Sequence, residues 1–209
     1  MKINYQQLLE NELARVEREN TVPRLLLHAC CAPCSSYVLE YLTKYFDITV
    51  YFYNPNITDY SEYMKRADEL KRLISIMPHD RKIDLIVCDH VPTCFYELSH
   101  GLEALPEGGV RCFACYRERL AATAKYMSKH PEEYDYFATT LTVSPHKNAA
   151  KLNEIGAELS ETYGIRYLPS DFKKRDGYKR SIELSREYGL YRQDFCGCEF
   201  SRDFKYGNS

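Results

Sequence analysis

The stretch "RLLLHACCAPCSSYVLEYLTKYF", Arg24 to Phe46, decides the fold. Its first part, "RLLLHA", is an apolar run of strand length. Next, "APCSSYVLEYLTKYF" places apolar residues at helical spacing, with Pro33 suited to the first position of a helix. A strand running directly into a helix is half of a βαβ unit, and the pattern repeats along the chain. "DITVYFYNPN" predicts a strand ending in a turn, "DYSEYMKRADELKRLISIM" a helix, and "KIDLIVCDH" another buried strand. Past a loop containing "PEGG", "CFACYRERLAATAKYMSKH" predicts a helix and "YDYFATTL" a strand. "HKNAAKLNEIGAELSETYG" then predicts a helix and "IRYLP" a last short strand. Alternation of this kind argues for an α/β fold with a largely parallel sheet covered by helices. Upstream, Asn4 to Asn20 carries Leu8, Leu9, Leu13 and Val16 on one face, an N-terminal helix that serves packing. Downstream, "DFKKRDGYKRSIELSREYGLYRQDFCGCEFSRDF" is basic and Tyr-rich, a helix and loop returning to the functional face.

The chain has 209 residues, 44% of them hydrophobic, enough for one sizeable core. A single α/β domain over 1–209 is expected, with 1–20 as a helical extension and 171–209 as a distinct C-terminal segment. A formal net charge of −2 does not announce a polyanion partner, so any such site must come from local basic clusters. "MKINYQQLLENELARVEREN" is polar and periodic, unlike a signal peptide, and no apolar run is long enough to span a bilayer. A cytoplasmic protein with no membrane partner is expected. There thiols stay reduced, and clustered cysteines bind metal or do redox chemistry more often than they form structural disulfides.

Seven of the nine cysteines cluster: Cys30, Cys31 and Cys34 in "HACCAPC", Cys112 and Cys115 in "RCFACY", Cys196 and Cys198 in "CGC". A CxxC turn aims two sulfurs at one metal, and two more thiolates complete a zinc site or an iron–sulfur cube. In "CGC" the side chains at i and i+2 face the same way, and Gly197 lets the backbone turn closely. Seven thiols exceed one four-coordinate centre, which suggests two centres or one centre beside a redox dithiol. A structural zinc site with spare buried cysteines is the competing alternative. Cys34, near a helix start, should have its thiolate favoured by the helix dipole. Cys88, in the middle of a predicted strand, reads as a small core hydrophobe, and Cys94 has no assigned role.

"KKRDGYKR" supplies Lys173, Lys174, Arg175, Lys179 and Arg180, with Arg186 and Arg192 beyond, interleaved with Tyr178, Tyr188 and Tyr191. Such a run is either a solvated face or the combination of phosphate contacts and stacking platforms that an RNA reader needs. "TTLTVSPHK", Thr139 to Lys147, could hold an anion or a ribose at a helix start, or simply cap the loop. His28 and His146 fit hydrogen-bonded polar residues better than acid–base groups.

Taken together, "HACCAPC", "RCFACYRERL", "TTLTVSPHK" and "DFKKRDGYKRSIELSREYGLYRQDFCGCEFS" resemble the epoxyqueuosine reductase family of the QueH type, over nearly all the chain after the N-terminal helix. The resemblance implies reduction of epoxyqueuosine to queuosine at the wobble position of a tRNA anticodon, the last step of queuosine biosynthesis. It also implies a fold distantly related to the PP-loop ATPases, with "HACCAPC" standing where the glycine-rich phosphate loop would be. A 4Fe-4S cluster beside one additional iron is the implied cofactor set. Carried over, the match puts Cys30, Cys31, Cys112 and Cys115 on the cluster. Cys196 and Cys198 then bind the second iron or cycle as a redox-active disulfide, and Cys34 joins them where family members often carry Asp. Lys173, Lys174, Lys179 and Arg180 become the expected contacts to tRNA carrying epoxyqueuosine, and the electron donor is unidentified. Two readings from other classes stand beside this one: a zinc-stabilised tRNA-binding module without redox activity, and a dithiol oxidoreductase acting on proteins.

Overall fold

In the computed structural model, which describes residues 3–201, the run Arg24–His28 forms the central strand β1 because Leu25, Leu26 and Leu27 are all fully buried. Burying each such side chain stabilises the fold by about 1.5–3 kcal/mol. Before β1 comes helix α1 (Tyr5–Glu19), capped by the Asn4 side chain at its start and by left-handed Asn20 at its end. Next follow α2 (Ala32–Leu42), β2 (Asp47–Phe52), α3 (Tyr60–Ile76), β3 (Ile83–Val87) and the short α4 (Thr93–Ser99). The chain continues with α5 (Val110–Lys129), β4 (Tyr136–Thr139), a 3-10 turn over Thr140–Val143, α6 (Ala149–Tyr163) and α7 (Gly177–Glu187).

All pairings are parallel, in the order β3-β2-β1-β4. Alternate residues feed opposite faces of the sheet. Leu25, Leu27, Ile48, Val50 and Phe52 join a core with α1, α2, α3 and Phe172. Leu26, Tyr51 and Phe137 join a second core with α5 and α6. The result is the expected α/β architecture with helices on both faces. Among the described residues no helix is long and apolar enough to cross a membrane.

Several local expectations change. Leu8 is exposed, and Gln6 takes its place among the buried residues of α1. Pro33 is the second residue of α2, not the first. The strand in "KIDLIVCDH" is only partly buried, because β3 lies at the edge of the sheet. Cys88 sits just past its end and is half-buried. "IRYLP" makes only an isolated parallel bridge, Phe137 to Tyr167. Leu168 still donates its N–H to the Phe137 carbonyl at 2.9 Å, but Pro169 comes next, and with no N–H it cannot extend the ladder. Tyr167 instead packs its ring against Gly156 of α6, where an added Cβ would lie 2.4 Å from ring carbons. Residues 202–209, the last part of the C-terminal segment, lie outside the described residues, as do 1 and 2 of the N-terminal extension.

Candidate metal centre

The strand order itself locates a site. From β1 the chain moves to β2 and β3 on one side and later to β4 on the other, so the connections after β1 and β4 diverge. They leave a crevice at the carboxyl ends of these strands, where α/β sheets bind their ligands. Here the crevice is filled with sulfur.

After His28 the backbone stays extended to Cys31 (φ −172, ψ 160), which serves as the N-cap residue of α2. Asn54 pins this turn through its amide, which donates to the Ala29 carbonyl at 2.8 Å, and Ser35 Oγ donates to the Cys31 carbonyl at 2.8 Å. The sulfurs of Cys30, Cys31 and Cys34 consequently lie within 4.8 Å of one another, a group that can hold a metal ion. His28 lies fully buried just before them. Its Nε2 is 3.1 Å from the Tyr53 carbonyl and therefore carries the proton, while Nδ1 accepts from Thr139 Oγ1 at 3.0 Å. Burial and then the charge of Arg119 push its pKa down to about 3, so the ring is a neutral strut.

Two further pairs approach from other segments. Arg111 Nη1 donates to the carbonyls of Leu102, Glu103 and Leu105 at 3.0, 2.6 and 2.6 Å, tying the preceding loop to the start of α5. Cys112 and Cys115 project from that first stretch of helix, and the Gly108 N–H donates to Cys112 Sγ at 3.2 Å. Cys196 and Cys198 come from the strap that follows α7, on either side of Gly197, whose φ of +98 suits only glycine. Cys112, Cys115, Cys196 and Cys198 line one small cavity. Beside it opens a cleft of about 320 Å³ lined by Cys30, Cys34, Cys196, Tyr178 and Phe195. Cys196, Arg119 and Lys147 belong to both walls. All nine cysteines are free thiols, and Cys88 and Cys94 line neither space.

The electrostatics follow from burial. Arg119 is 1% exposed, one turn beyond Cys115, and donates from Nε to the Cys115 carbonyl at 3.2 Å. Its Nη2 has no hydrogen-bond partner among the described residues. Lys147 Nζ lies 3.7 Å from Cys196 Sγ. Burial opposes both charges, yet the sulfurs of Cys196 and Cys30, with Cys115 for Arg119, hold both pKa values above the usual range. Within the trio, hydrogen bonds from Cys31 and Cys34, helped by Lys147 and Arg119, pull the Cys30 thiol well down. The same bonds push Cys31 up to about 12 and Cys34 well up. The thiolate expected at Cys34 from the helix dipole thus falls to Cys30, since three sulfurs within 4.8 Å of one another do not all ionise together. Burial pushes Cys115 up to about 12 and raises Cys112 and Cys198.

The basic run behaves differently from its sequence. Arg180 pairs with Glu40 at 2.6 Å and Lys173 with Asp171 at 3.0 Å, whereas Lys174 and Lys179 are exposed. None of the four lines the cleft; α7 sends Tyr178 and Ser181 there instead. The cations of its wall are Arg66, Arg119, Lys147 and Arg192. Arg119 carried a sequence signal, being seven residues after Cys112 and four after Cys115 on one helix face. Arg66 carried none.

Fold and site define a class: a parallel α/β protein whose switch-point crevice is lined by thiols and buried cations. Residues 25–203 match the family described as epoxyqueuosine reductase QueH. Curated relatives of that name include one from Staphylococcus epidermidis, 43% identical over 99% of this chain and 90% of the relative. Another, from Streptococcus pyogenes serotype M1, is 44% identical over 96% and 78%, and one from Thermotoga maritima is 34% identical over 85% and 89%. The chain belongs to the epoxyqueuosine reductase QueH family, a family of oxidoreductases.

Proposed function

We propose that this protein reduces epoxyqueuosine to queuosine in the anticodon of a tRNA, taking up two electrons and two protons and releasing the epoxide oxygen as water. The supporting observation is that the Cys30, Cys31 and Cys34 trio, the α5 pair and the Cys196 and Cys198 pair lie at two adjoining spaces whose walls share Cys196, Arg119 and Lys147. These residues suit a 4Fe-4S cluster with a neighbouring iron. Sulfur is the soft donor such a centre needs. A cluster on four thiolates is net negative, and Arg119, buried with an unpartnered Nη2, is placed to supply counter-charge. Cys30, Cys31, Cys112 and Cys115 hold the cluster, and Cys34, Cys196 and Cys198 hold the second iron. When bound, the pair supplies single electrons and Lewis acidity toward the epoxide oxygen. The cleft has the volume of a small-molecule site and admits one modified nucleobase. Tyr178 and Phe195 on its wall offer rings for a base to stack on. A second division of the thiols has its own support, since Cys34 lies with Cys30 and Cys31 within 4.8 Å; there the trio holds one centre together.

Anaerobically purified protein should be brown and, given a chemical reductant, should remove one oxygen from an epoxyqueuosine-containing anticodon stem-loop, as read by mass spectrometry. Colourless, zinc-loaded protein that binds the stem-loop and leaves it unchanged would replace this reading with the zinc module.

In the same reading, residues from 171 onward carry the tRNA contacts as well as the "CGC" thiols. Lys174 and Lys179 are free to meet phosphates, while Lys173 and Arg180 must share their charge with Asp171 and Glu40. Reversing Lys174 and Lys179 together to Glu should weaken tRNA binding and make the log Kd against log salt dependence less steep by roughly 1–2, as fewer counterions are released. An unchanged slope returns both residues to the solvated surface.

A further inference from the structure

One face of α3 is given over to the C-terminal strap. Glu62, Lys65, Arg66, Glu69 and Arg72 recur at spacings of three and four, which places them along one stripe of the helix. Each meets the strap. Arg72 Nη2 donates to the carbonyls of Tyr188 and Gly189 at 3.0 and 3.1 Å. Glu69 accepts the Tyr191 N–H at 2.7 Å. Lys65 Nζ lies 3.5 Å from the centre of the Tyr191 ring, whose hydroxyl donates to Glu62 at 3.0 Å. Within this row it is Arg66 that reaches the cysteines. It is 2% exposed, donates from Nε to Glu62 at 2.7 Å, from Nη1 to the Cys196 carbonyl at 3.1 Å and from Nη2 to the Phe195 carbonyl at 3.4 Å. The next residue, Gly197, has no room for a side chain: a Cβ would come 2.7 Å from Ile57 Cγ1 and 3.3 Å from Arg66 Nη1.

We propose that Arg66 is the positioning residue of the Cys196-Gly197-Cys198 loop. Its guanidinium holds two consecutive carbonyls while Glu62 fixes the guanidinium, so the peptide planes flanking Cys196 are set and both thiols face the centre. Lysine cannot substitute, because a single ammonium lacks the planar fork that meets three acceptors at once. What the two thiols then do rests on the proposed function; where they are held does not.

The test uses the reduced, metal-free full chain and iodoacetamide, with the alkylation rate of each cysteine read by peptide mass spectrometry. In Arg66→Ala and Arg66→Lys, Cys196 and Cys198 should react roughly tenfold faster, the scale of losing a hydrogen bond from a charged donor. Cys30, Cys112 and Cys115, on whose thiols the Arg66 charge does not act, should keep their rates. After anaerobic reconstitution with iron and sulfide, both variants should retain the visible cluster absorption and bind less iron per chain than the parent. Unchanged rates at Cys196 and Cys198 overturn the proposal, as does an Arg66→Lys protein that behaves like the parent. Should Arg66→Ala open the whole fold, seen as equal rates at all seven thiols, Glu62→Gln decides the matter. That variant keeps the shape and exchanges the charge-assisted bond to Nε for a weaker neutral one, so the guanidinium is held less firmly; a selective rise at Cys196 and Cys198 supports the proposal, and a uniform rise or none overturns it. Because alkylation reads placement in the metal-free chain, a protein that fails to reduce epoxyqueuosine leaves this result standing.

Discussion

Replacing Cys115 by Ala is expected to bleach the protein and lower reduction of epoxyqueuosine by at least about 1000-fold, equivalent to roughly 4 kcal/mol of barrier. Two consequences of the geometry combine. Cys115 is 6% exposed, and its pKa is raised by burial and, against the pull of Arg119, by Cys196, Cys198 and Cys112, so it sits among three other thiols. Removing it takes one of four thiolates from the proposed cluster and leaves Arg119, one turn on, with less negative charge to face. A buried cation losing its partners is destabilising in its own right. The melting temperature should therefore fall together with the visible absorption. Cys88→Ala is the matched control. Cys88 is half-buried at the end of β3, with its carbonyl accepting from Tyr63 Oη at 2.7 Å, and its sulfur lines neither cavity. Its removal should keep the colour and the turnover. If Cys115→Ala stayed brown and active, the assignment of the α5 pair to the cluster would be wrong.

Much of the fold was legible because a buried parallel strand and an amphipathic helix each write their environment into local sequence. Leu25, Leu26 and Leu27 read as buried on both faces, and they are. What local sequence does not carry is neighbour order. Ile83, Leu85, Ile86 and Val87 look as apolar as β1, but only the sheet order makes theirs an edge strand. The thiols were legible for the same local reason, since metal ligands cluster in sequence. Their surroundings were not. A charge run reads as basic until the acids that meet it are known, and Glu40 for Arg180, Glu10 for Arg175 and Asp171 for Lys173 come into view only on folding. Conversely nothing local in the sequence marks Arg66, because its contacts with the strap arrive from 130 residues away.

Cys34 distinguishes the two divisions of the thiols, and Cys34→Asp and Cys34→Ala are expected to part company. Cys34 lines the open cleft with Cys196 and Cys30, whereas Cys31 is 1% exposed and does not. With four thiolates already assigned to the proposed cluster, Cys34 on the wall it shares with Cys196 is left for the second iron. Carboxylate and thiolate both bind iron, though thiolate is the softer ligand. Cys34→Asp should therefore keep the cluster absorption and activity within roughly tenfold of the parent, a cost near 1.4 kcal/mol. Cys34→Ala should keep the absorption, lose about one iron per chain and lose most turnover. Removing Cys34 also takes away one of the two hydrogen bonds that lower the Cys30 thiol. In the metal-free Cys34→Ala protein, Cys30 should accordingly titrate at a higher pH than in the parent, and its alkylation should demand more alkaline conditions. A colourless Cys34→Asp protein would assign Cys34 to the cluster with Cys30 and Cys31, and the compact trio would then be the centre itself. A brown but inactive one would make Cys34 a redox partner of Cys196 and Cys198, since a carboxylate can replace a thiol as a ligand but not in disulfide exchange.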